Sequence, residues 1–116
     1  LNSFPAGVND PDAVERTRAA LQEAAGFVVD PGSITGSEDV GLLASAAGAP
    51  CVYWLLGGAD HAAFEGATTM EQLAERVRTI PSNHSPLFAP VIEPTLTVGI
   101  AALVAAAREW LRADGP

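Results

Sequence analysis

Apolar positions alternate along this chain between helical spacing and short continuous runs, and the changes of period divide it into segments. Val14, Leu21 and Ala25, joined by the aliphatic stem of Arg18, lie near one face of a helix over about residues 11–25. Asp10 is a suitable N-cap, Pro11 fits the first helical position, and Gly26 can take the left-handed conformation that ends a helix. Phe27-Val28-Val29 is a short β-type run stopped by the turn residues Asp30-Pro31-Gly32. A second helix is expected from about Ser37 to Ala47, with Thr35 and Glu38 at capping-box spacing and Gly48 as its end. Cys51-Val52-Tyr53-Trp54-Leu55-Leu56 is continuously apolar, rich in aromatic and β-branched residues, and reads as a strand buried on both faces.

Residues 57–67 form a loop of small residues containing Asp60 and His61. Thr68 and Thr69, with Glu71 and Gln72 at capping-box offsets, open a third helix whose Leu73, Val77 and Ile80 are expected to face a core. Pro81 stops it. Glu93-Pro94 is expected to start the last helix, along which Leu96, Ile100, Leu103, Ala107 and Trp110 form an apolar stripe. The order helix, strand, helix, strand, helix, loop, helix argues for an α/β fold of layered helix, sheet and helix. Two strands fall short of the roughly five of an ordinary sheet, so either further strands in this chain carry no clear pattern or the remaining ones belong to another segment.

Composition narrows the function classes. Net charge is −8, and the six basic residues are all arginine, so no basic surface for a phosphate backbone or an anionic membrane is expected. Apolar content of 48% with 17% charged residues is that of a globular domain. The longest apolar run, Val98 to Ala107, is too short to cross a bilayer. Cys51 is the single cysteine, so an internal disulfide is excluded and a cytoplasmic location is expected. The first residue is Leu1 rather than methionine, which is read as a piece of something longer or a processed chain.

Two places carry candidate chemistry. Pro81-Ser82-Asn83-His84-Ser85-Pro86 sets one imidazole between two prolines in a stiff loop. The local residues fit a metal ligand or proton carrier, and equally fit a turn with a surface histidine, which is the commoner case. Thr35-Gly36-Ser37-Glu38-Asp39 leads into a helix whose free N–H groups suit a substrate carboxylate, or is simply a capped helix start. No P-loop, dinucleotide fingerprint or nucleophile elbow is present. A zinc site needs three or four ligands, and His84, His61, Cys51 and the carboxylates show no recognisable ligand spacing.

Taken in order, Val8-Asn9-Asp10, Gly36-Ser37-Glu38-Asp39, Trp54-Leu55-Leu56-Gly57-Gly58, Asn83-His84-Ser85-Pro86 and the closing Thr95–Leu111 resemble the C-terminal part of the aminoacylase-type metallopeptidases, or amidohydrolases. The nearest branch includes hippurate hydrolase-like and auxin-conjugate hydrolase-like enzymes. The resemblance implies that residues 1–10 return from a lid domain absent here and that residues 11–116 are an α/β segment of the catalytic domain. It implies hydrolysis of N-acyl amino acids or small peptides by the intact enzyme, with a divalent metal (Zn, Mn, Co or Ni) as cofactor.

Residue by residue, the resemblance puts His84 on the family's last metal-ligand histidine and Gly36 and Ser37 on a loop beside the substrate. Val40 stands where the family usually has phenylalanine. The remaining ligands and the glutamate that acts as general base have no counterpart, so no catalytic residue is expected in this segment and the chain alone is expected to be inactive. Expected partners are the small substrate and either a second copy or the missing part of the catalytic domain. The competing expectation is a stand-alone, non-catalytic binding or interaction module in which His84 has a structural role.

Overall fold

The computed structural model describes residues 6–34 and 39–112. They form four α-helices, α1 (Pro11–Ala25), α2 (Val40–Ala47), α3 (Met70–Thr79) and α4 (Thr95–Leu111), with a 3-10 helix at His61–Phe64 between α2 and α3. No strand occurs among the described residues. The expected α/β layering is therefore corrected: over these residues the chain is helical. The reason is physical. A β-rich composition specifies an extended backbone, but a strand exists only where a second backbone completes its hydrogen bonds. Among the described residues, neither Phe27–Val29 nor Cys51–Leu56 pairs with another segment in a ladder.

The chain divides into two compact units, one of residues 1–55 and 98–116, the other of residues 56–97. In the first, α1 has the expected boundaries, and its caps explain them. The Asp10 carboxylate accepts the Ala13 N–H at 2.9 Å, and Gly26 takes φ 73° with its N–H donating to the Gln22 carbonyl. The buried face is Ala13, Thr17 and Leu21, one position away from the Val14–Arg18–Leu21 face read from the pattern. Leu21 packs with Ala102 and Ala106 of α4, and half-buried Val28 and Trp54 close over them. Alanines at i and i+4 leave little side-chain bulk on α4, which permits this close packing.

The expected stripe on α4 is thereby corrected. Leu96, Ile100 and Leu103 are all more than half exposed, and the buried positions are Ala102 and Ala106. Its first helical residue is Thr95, directly after a cis Glu93–Pro94 bond, and not Pro94. α2 spans Val40–Ala47; the start expected near Ser37 and the capping box read at Thr35–Glu38 lie outside the described residues.

In the second unit α3 is fixed by local hydrogen bonds. Thr69 accepts the Gln72 N–H at 3.2 Å, and the Gln72 side chain accepts the N–H groups of Thr68 and Thr69. Arg76 and Arg78 occupy the last turn, where the helix dipole favours cations. Leu73 and Ile80 are half-buried as expected, whereas Val77 is 57% exposed. Gly58 meets a spatial demand: a Cβ there would lie 2.8 Å from the Pro90 Cβ, and the Gly58 carbonyl accepts the Val91 N–H at 2.9 Å.

Candidate functional site

His84 lies in the second unit, on the turn after α3. The Ser85 N–H donates to the Ser82 carbonyl at 2.8 Å, which closes the turn around Asn83 and His84. Ser85 then braces the following residues: its hydroxyl accepts the Leu87 N–H at 3.1 Å, and its carbonyl accepts the Phe88 N–H at 3.0 Å. With Pro81 and Pro86 fixing φ on either side, the backbone that carries the imidazole is strongly constrained. His84 itself is exposed, and its ring makes no hydrogen bond with the described residues.

His61 is the first residue of the 3-10 helix and is also exposed. The carboxylate beside it, Asp60, is occupied as an N-cap, accepting the Ala62 N–H at 2.9 Å. Cys51 belongs to the first unit, where it is half-buried and its carbonyl accepts the Asp10 N–H at 2.8 Å. Gly36 and Ser37, the expected substrate contacts, lie outside the described residues.

A divalent metal does not fit the described residues as a self-contained site. No group of three His, Cys, Asp or Glu side chains converges among them, whereas a protein zinc centre uses three or four ligands. His84 offers a single nitrogen ligand on a stiff turn, and nothing in the described chain supplies the others.

The first unit contains a polar cluster and a groove that the sequence pattern did not signal. Thr17, 1% exposed, donates its hydroxyl hydrogen to the Ala13 carbonyl at 2.7 Å and accepts the Trp110 indole N–H at 2.9 Å. Arg16 sits over the Trp110 ring at 4.4 Å, donates to the Glu109 carboxylate at 3.1 Å and to the Glu109 carbonyl at 2.6 Å. The Arg16–Glu109 and Thr17–Trp110 contacts join positions 93 residues apart in sequence, so no local spacing reveals them. Beside them opens a groove of about 480 Å³, lined by apolar atoms of Pro50, Val52, Trp54, Leu103, Ala107 and Trp110 among others.

Asn9 is the second residue whose role escaped the pattern. Its carboxamide oxygen accepts the Tyr53 N–H at 2.7 Å, and its NH₂ donates to the Tyr53 carbonyl at 2.9 Å. Both polar groups of Tyr53 therefore point the same way, which requires an extended backbone there. No known family's sequence model matches this chain, and no solved structure is significantly similar to it.

Proposed function

We propose that this chain is one segment of a metal-dependent amidohydrolase or peptidase acting on N-acyl amino acids or small peptides in the cytoplasm, and that it supplies one metal ligand, His84, while being inactive alone. The observation that supports this reading is the turn at Ser82–Ser85: a hydrogen-bonded, proline-bracketed loop that presents an exposed imidazole with both ring nitrogens uncommitted. A ligand awaiting partners from elsewhere is left exposed, as a surface histidine also is; what favours the ligand is the resemblance of Asn83-His84-Ser85-Pro86 to the family's ligand loop. The remaining ligands, the general base and the substrate carboxylate's partners belong, on this reading, to other parts of the enzyme. Gly36 and Ser37 stay proposed as substrate contacts through backbone N–H groups.

The test uses the full reading frame that contains this segment. His84→Ala is expected to lower both bound metal and hydrolysis of an N-acyl amino acid by about a hundredfold, in the range found when metal-site partners are lost. Unchanged metal content and rate would remove the ligand assignment. The 116-residue chain itself is expected to hydrolyse nothing.

One observation favours a second reading, a non-catalytic interaction module. Leu96, Ile100, Leu103 and Val104 leave much of the apolar surface of α4 uncovered, the mark of a surface that meets another molecule. The upstream reading frame discriminates. A Cys/His pair and two adjacent glutamates encoded there favour the enzyme; a gene that starts near Leu1 favours the module.

A further inference from the structure

We draw no further inference here: the strongest candidate, the apolar groove bordered by Val52 and Trp54 of the extended segment and by Leu103 and Ala107 of α4, is an unpartnered face, and nothing in the structure shows what covers it.

Discussion

The two units of this chain are held by different physics. In the unit formed by residues 1–55 and 98–116, side chains far apart in sequence meet: Leu21 with Ala102 and Ala106, Thr17 with Trp110, Arg16 with Glu109. All the buried side chains among the described residues belong to it. The unit of residues 56–97 has none, and its hydrogen bonds are mostly local: the capping box of α3, the Asp60 cap and the Ser82–Ser85 turn. A unit held by packing loses structure together, whereas one held by caps and turns loses it piece by piece. The histidines are both in the locally held unit, and the apolar groove is in the packed one.

The contrast breaks most sharply at Leu21. Leu21→Ala removes the largest side chain of the small core and should cost about 2–5 kcal/mol, read as a fall in the urea midpoint. Hydrogen exchange should show the loss in α1 and in α4. Equal loss of protection in α3 would mean that the two units unfold as one and that the comparison is wrong.

A smaller effect is expected at Gly58, where a methyl group meets the Pro90 Cβ. Gly58→Ala should cost about 1–3 kcal/mol, because the neighbour is a rigid proline that has little freedom to move aside. Faster exchange at the Val91 N–H, with α1 protection unchanged, would place the damage in the second unit. The smallest effect sharpens the comparison further. Thr69→Ala deletes one half of a capping box and should cost about 1 kcal/mol, visible as fraying of α3 in helix-sensitive circular dichroism and exchange. No change in exchange over residues 69–73 would mean that α3 draws its stability from packing after all.

Local hydrogen bonding was the legible part of this sequence. Asp10, Pro11 and Gly26 bound α1 as expected because capping is decided within four residues of a helix end. Thr69 and Gln72 mark α3 for the same reason. The face each helix buries was less legible. The leucines of α4 point to a core by composition, yet its alanines are what meet Leu21, because nothing in the described chain covers the leucine side. The sheet was misread for a related reason: Cys51–Leu56 has the composition of a buried strand, while pairing depends on a partner that no local pattern specifies. For His84 the sequence indicated a stiff turn and the structure contains one, but the ligands expected to join it are not in the described residues.

By itself, then, the sequence determined both ends of α1, the capping box that opens α3, and that one imidazole is held on a constrained turn. Only the tertiary structure decided that Leu21 packs against alanines of α4 beside a buried threonine, that the Asn9 side chain occupies one edge of the extended segment, and that Val52 and Trp54 border an apolar groove. The division follows the range of the forces. Caps, turns and charge act over a few residues and can be read in order, whereas packing and strand pairing join positions tens of residues apart and are fixed only when the chain has folded.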